Sequence, residues 1–383
     1  MDPFDENHIS RDLNELILQH LTVKEILDIS LVSKNWNSVI GSSRKCMKKI
    51  KLALKFWRST SKNEQAAEKI KIMENVSRKY QHVSVDCRFD RSVSAVFWKL
   101  LTDLAPNLVS LKVKSIKLDN LTPINLPKLQ ELRVVYVPID IRNILISSSD
   151  AFISLKLKLV SPLNWNKTSK SDPESSSCIR KCLTSNSNLK IIELYGAVQY
   201  GFLFDEDLSN DIKFSLHTLK IKNDMRLSLI PEITEQNLIK FLSTQSSSLQ
   251  TVYIDVCRPN VIQYILNNMR VLKSVQIETV LTDYKIRDLN LRLNEHVIDL
   301  RIPYVNRNQD IREMLGVFPN LTHLFVAHLS LETMEYIAWN LQKLRLLKYR
   351  YDEIDCESLY EKLKEENPEV NQNIEMIVDY DYT

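Results

Sequence analysis

The chain has 383 residues, with 51 Lys plus Arg against 48 Asp plus Glu, a formal charge of +3. So even a balance excludes a general nucleic-acid coat, which needs a strongly basic surface. Four glycines (Gly41, Gly196, Gly201, Gly316) are too few for phosphate-cradling loops, which rely on glycine to crowd backbone amides around an anion. Gly196 and Gly201 have GxxxxG spacing, but Phe202 and Leu203 stand where Lys and Ser or Thr would grip phosphate. No apolar run of 18 residues is present, so no membrane span is expected. Six scattered cysteines fit a reducing compartment, cytoplasmic or nuclear. The Cys178/Cys182 pair lacks the second half of a zinc shell, the seven histidines suit no metal helix, and no GxSxG nucleophile motif occurs. Neither a catalytic site nor a metal or other cofactor is expected.

Residues 1–8 read as a polar tail with acids and no base. Residues 9–41 are dense in Leu, Ile, Val and Trp and break into three short helices. Ser10 can cap the first, Thr22-Val-Lys-Glu25 is a capping box for the second, and Ser33 or Asn35 opens the third. Three such helices, below the size at which a domain usually holds its own core, carry apolar residues on more than one side. Some of that surface must be covered by something else. Residues 42–75 follow as a basic region: from Ser42 to Asn63 there are eight Lys or Arg and no acid, interleaved with Met47, Ile50, Leu52, Leu54, Phe56 and Trp57. It reads as an amphipathic linker helix, with a nuclear-localisation or acidic-partner patch as the other possibility.

From residue 76 to 383 the spacing apolar-x-x-apolar-x-apolar recurs. The copies are Leu108/Leu111/Val113, Leu129/Leu132/Val134, Phe152/Leu155/Leu157, Leu189/Ile192/Leu194, Leu216/Leu219/Ile221, Leu249/Val252/Ile254, Leu272/Val275/Ile277, Val297/Leu300/Ile302, Leu321/Leu324/Val326 and Leu344/Leu347/Tyr349. A weaker copy, Tyr80/Val83/Val85, precedes them. The mean period is about 26 residues, and between copies the apolar period shifts from 2 to 3.6, at 92–105, 234–244, 259–269, 309–318, 331–341 and 358–366. Each unit is a short strand followed by a helix, ten or eleven in all. Pro-Asn-Leu or Pro-Lys-Leu precedes several strands (Pro106, Pro127, Pro319), where proline stops a helix. Residues 161–187 form a Ser-rich insertion too polar to bury. The segment from Asp352 to Thr383 is acidic, with eleven Asp or Glu against two Lys.

The N-terminal strings Asp12-Leu13, Ile17-Leu18-Gln19-His20-Leu21, Val23-Lys24-Glu25-Ile26-Leu27 and Leu31-Val32-Ser33-Lys34-Asn35-Trp36 resemble an F-box. Ile9-Ser10 replaces the usual Leu-Pro, and Leu18 the usual Phe. With the repeats, the chain resembles the F-box/leucine-rich-repeat proteins. The resemblance implies an α/β chain: a three-helix F-box, then a curved leucine-rich-repeat solenoid. It also implies a non-catalytic substrate receptor of an SCF-type ubiquitin ligase, docking on the Skp adaptor and thereby the cullin scaffold. The implied adaptor-binding residues are Ile9, Leu13, Ile17, Leu18, Leu21, Ile26, Leu27, Val32 and Trp36. The alternative is a leucine-rich scaffold or inhibitor unconnected with ubiquitin, whose N-terminal helices only cap the array.

Side chains alternate along a strand, so the residue between the last two apolar positions, and the one two further on, face away from the core. That places Lys112, Lys114, Arg133, Lys156, Lys158, Lys220, Lys222, Tyr253, Arg301 and Phe325 on the concave face. The expectation is that this face holds a target protein, its basic half taking an acidic or phosphorylated segment through Lys and Arg pairing, with Tyr253 and Phe325 as anchors.

Overall fold

The computed structural model describes residues 11–56, 78–87, 99–114, 124–135, 152–158, 180–195, 206–222, 232–280, 289–302, 311–352 and 356–378. Four short helices open it: α1 Arg11–His20, α2 Val23–Val32, α3 Lys34–Ser42 and α4 Arg44–Lys49. The capping box forms at α2, the Glu25 amide donating to the Thr22 hydroxyl and the Thr22 amide to the Glu25 carboxylate at 2.7 Å. Ser33 caps α3 and Ser43 caps α4, each accepting from the amide three residues on. The Lys49 ammonium donates to the Gln19 and Leu21 carbonyls, satisfying backbone left over where α1 ends.

Thirteen strands then follow in chain order: β1 Lys51–Phe56, β2 His82–Cys87, β3 Ser110–Lys114, β4 Glu131–Val135, β5 Ser154–Lys158, β6 Ile191–Tyr195, β7 Thr218–Lys222, β8 Thr251–Cys257, β9 Ser274–Val280, β10 Asp299–Ile302, β11 His323–Leu329, β12 Leu346–Asp352 and β13 Glu375–Val378. The helices described whole between them include α5 Glu206–Asp211, α6 Glu232–Thr244, α7 Pro259–Asn268, α8 Arg312–Leu315, α9 Leu331–Asn340 and α10 Cys356–Glu366. The molecule falls into two compact units, residues 1–188 and 189–383. The first holds α1–α4 and β1–β5, the second β6–β13, and within each the neighbouring strands pair in parallel. This is a helical N-terminus followed by a series of parallel strands, consistent with a solenoid of strand-helix units.

All ten sequence repeats, and the weaker eleventh, fall on strands β2–β12. The opening apolar residue of each of the ten copies is buried, from Leu108, Leu129 and Phe152 to Val297, Leu321 and Leu344, whereas Tyr80 of the weaker copy is partly buried. So are the inward strand pairs such as Leu111/Val113 and Leu219/Ile221. Register is locked by one recurring contact, a single carbonyl accepting two successive amides from the next unit. Gln81 accepts from Val109 and Ser110, Val109 from Gln130 and Glu131, and in the second unit His217 from Gln250 and Thr251, then Gln250 from Lys273 and Ser274.

Buried amides complete the turns. Asn186 donates to the Phe152 carbonyl, Asn294 to that of Leu266, and Asn371 to those of Leu341 and Leu344, each also accepting from amides just after it. Gln245 fills the same role between Phe214 and Leu216.

Several expectations are corrected. Lys51–Phe56 is a strand paired with β2, and so the expected linker helix over 42–75 ends at Lys49. Its alternation of Lys51, Leu52, Ala53, Leu54 and Lys55 is a period of 2, with lysines at both ends. The ladder therefore starts at 51 and not 76, and β13 extends it beyond the last repeat. The helix expected over 309–318 is a single turn, α8. Residues 180–185 are helical with Cys182 and Leu183 buried, so the end of the expected 161–187 insertion belongs to the fold. The remainder of that insertion and Trp57 lie outside the described residues.

Candidate functional site

Two surfaces emerge. In the first, α1–α4 pack Leu18, Ile26, Ile40, Cys46, Met47 and Ile50 into a core, with Leu21, Ile29, Trp36, Val39 and Tyr80 against it. Tyr80 comes from the segment before β2. Next to it the Arg78 guanidinium donates to the Asn37 side chain at 2.7 and 3.1 Å and to the Ser30 hydroxyl at 2.8 Å. The helices are thus clamped onto the segment that leads into β2.

What this core leaves outside is unusual. Leu13, Leu16 and Ile17 on α1, and Val23, Leu27, Leu31 and Val32 on α2, are all exposed, Leu31 at 84% and Val32 at 78%. On α2, Val23, Leu27 and Leu31 stand at i, i+4 and i+8, one stripe of a helix. On the inner side Asn14 and Ser30 are buried alongside Leu18 and Ile26. Exposed apolar stripes of this kind mark an interaction site in a folded protein.

Of the expected adaptor residues, Leu13, Ile17, Leu27 and Val32 are on this surface, and Leu21 and Trp36 sit half-buried at the core's edge. Leu18 and Ile26 are fully buried in the helices' own core and form no part of this exposed surface. Ile9 lies outside the described residues. Leu16, Val23 and Leu31 belong to the surface and were missed, although their spacing with Leu13 and Leu27 carried the signal.

The second surface is the strand face turned from the core. In the first unit, Lys112 on β3, Arg133 on β4 and Lys156 on β5 are consecutive partners in register. Lys112 and Arg133 make no ion pair among the described residues. Burial first, then the nearby charges of Arg133, Lys51 and Lys114, hold the Lys112 ammonium below its usual pKa. Lys114 is paired with Asp86 at 3.2 Å. The side chain of Lys158 lies outside what is described.

In the second unit the same rows are neutralised internally. Lys220 pairs with Glu193 at 3.4 Å and Arg301 with Asp299 at 3.3 Å. Lys222 sits 4.5 Å over the Tyr253 ring and 5.9 Å over Tyr195. The Tyr253 hydroxyl lies 2.7 Å from Asp255 and 3.2 Å from Glu278, and burial followed by these carboxylates pushes its pKa far above the ordinary tyrosine value. Arg350 covers Phe325 at 5.2 Å. Tyr253 and Phe325 are therefore not open anchors: both are buried, 6% and 7% exposed.

Among the described residues no group of three or more His, Cys, Asp or Glu is placed to hold a metal ion. No helix among them is long and apolar enough to cross a membrane.

Residues 7–48 match the family model of the F-box domain. No curated protein matches the chain. The matched segment coincides with α1–α3 and most of α4, the helices that carry the exposed apolar surface.

Proposed function

We infer that the F-box domain of residues 7–48 gives the chain a role as an adaptor-binding subunit of an SCF complex. From that premise we propose that it is a non-catalytic substrate-recognition subunit of an SCF-type ubiquitin ligase, in which α1 and α2 dock on the Skp adaptor and the strand-helix units, read as leucine-rich repeats, hold a target protein. The observation that carries the reading is the run of exposed Leu, Ile and Val on α1 and α2 inside the F-box segment. Adaptor docking gives that surface a dry partner, and the cullin scaffold then joins through the adaptor. The contribution to ubiquitin transfer is proximity: fixing a target lysine near the charged conjugating enzyme raises its effective concentration.

For the target, the first unit's face favours an acidic or phosphorylated segment, because Lys112 and Arg133 bring positive charge that no described acid pairs with. The working compartment is cytoplasm, nucleus or both. In the rival reading the helices only cap the array. It draws on the clamp of Arg78 and Tyr80 between helices and ladder, but gives the outer apolar stripe no purpose.

Co-purification from cells separates the two. The full chain should bring down adaptor and cullin, and a cap would bring down neither. Lys112→Glu with Arg133→Glu should then reduce recovery of the target while adaptor recovery stays constant. Unchanged recovery of every other co-purifying protein would discard the basic face.

A further inference from the structure

Beside α4 lies a cleft of about 190 Å³ whose lining includes Arg44, Met47, Lys79, Val109 and Lys128. At roughly 30 Å³ for each water in the liquid, it has room for about six. The three cations come from separate places in the chain: Arg44 opens α4, Lys79 lies before β2, and Lys128 before β4. Among the described residues no Asp or Glu lines the cleft, and none of the three side chains forms an ion pair. Met47 is buried in the helical core, so one wall is apolar and excludes water from one side of any occupant.

This arrangement differs from the strand face. There, cations stand in a row on a surface, and acids follow a few positions along. Here, three exposed cations from separate parts of the chain line one hollow. A low-dielectric wall strengthens both their repulsion and their attraction for an anion. Arginine offers a planar fork and lysine a movable point charge, the two donor types that suit phosphoryl oxygens.

We propose that this cleft binds a compact, multiply charged phosphate anion, held by Arg44, Lys79 and Lys128 with Met47 and Val109 against its uncharged side. Arg44 belongs to the helical module, whereas Lys79 and Lys128 belong to the ladder. An occupied cleft therefore ties the F-box helices to the first strands with charge-assisted bonds, complementing Arg78 and Tyr80. Binding to the folded chain alone raises its stability by mass action.

The test uses the full chain and pyrophosphate. Thermal unfolding is followed across a pyrophosphate titration, against sodium chloride of matched ionic strength. The expected result is a saturable rise of a few degrees with pyrophosphate and none with chloride. Arg44→Gln with Lys128→Gln should weaken apparent affinity by at least about tenfold, the loss of one charged hydrogen bond or more. Lys112→Gln with Arg133→Gln should leave the rise intact, because those residues line the strand face instead. Should the double variant at the cleft fail to fold, Lys79→Gln and phosphorus-NMR line broadening of pyrophosphate give the same readout. No rise, a rise that chloride reproduces, or an equal rise in the cleft variants would overturn the proposal.

Discussion

The N-terminal helices and the strand ladder use the same apolar residues to opposite ends. In the ladder, Leu, Ile and Val alternate inward and are almost wholly buried, as at Leu111, Leu219 and Leu347. In α1 and α2, Leu13, Leu16, Leu27, Leu31 and Val32 face out while Asn14 and Ser30 are turned in. The ladder satisfies itself unit by unit, each strand covered by its neighbours. The helices are held by a core of six residues and leave a second stripe for another molecule. The difference teaches that apolar density alone does not reveal a core: which stripe the polar residues share shows where the partner goes.

The comparison can be broken most forcefully from the ladder side. Leu219→Ala should cost about 2–5 kcal/mol, the usual range for a fully buried leucine, read as a lower urea midpoint. Asn371→Ala should cost about 1–3 kcal/mol, because the Leu341 and Leu344 carbonyls and the Asn373 amide lose a buried partner. A loss near zero would show that water replaces the amide.

The smallest effect is a pH dependence. Burial, then the Lys51 and Lys48 charges, hold the His82 imidazole below its usual pKa of 6.5, with Glu131 opposing them. The unfolded chain then takes up the proton at higher pH than the folded one. Stability is therefore held above about pH 6.5 and lost as pH falls below it. His82→Gln should flatten that part of the stability profile, and an unaltered slope would exclude His82 as its source.

Much of this was legible in the sequence. The 2-to-3.6 alternation located eleven strands because each inward apolar residue must meet the next unit's. β1 escaped because its alternating residues are lysines, which suggest a solvated helix, and β13 because Glu375 precedes a short Met-Ile-Val run without the repeat's spacing. The turn amides Asn186, Gln245, Asn294 and Asn371 escaped because a buried amide looks like any surface one until its acceptors, some 30 residues earlier, are known.

In the F-box segment the motif was legible but its facing was not. Leu18 and Ile26 look like contact residues in a list of hydrophobics, yet α1 and α2 turn them inward with Asn14 and Ser30 beside them. On the strand face, positions followed from alternation, whereas the pairing of Lys220 with Glu193 and the cover over Tyr253 depend on cross-strand register, which one strand's sequence does not contain.

The central claim is that α1 and α2 present their outer apolar stripe to an adaptor. The direct measurement is the affinity of purified Skp adaptor for the full chain carrying Leu31→Asp, set beside Leu293→Asp, which alters another exposed leucine in the second unit. The account predicts that Leu31→Asp weakens binding by a hundredfold or more, about 2.7 kcal/mol, with unfolding unchanged, and that Leu293→Asp binds as the parent does. Equal affinity for the two variants would contradict it.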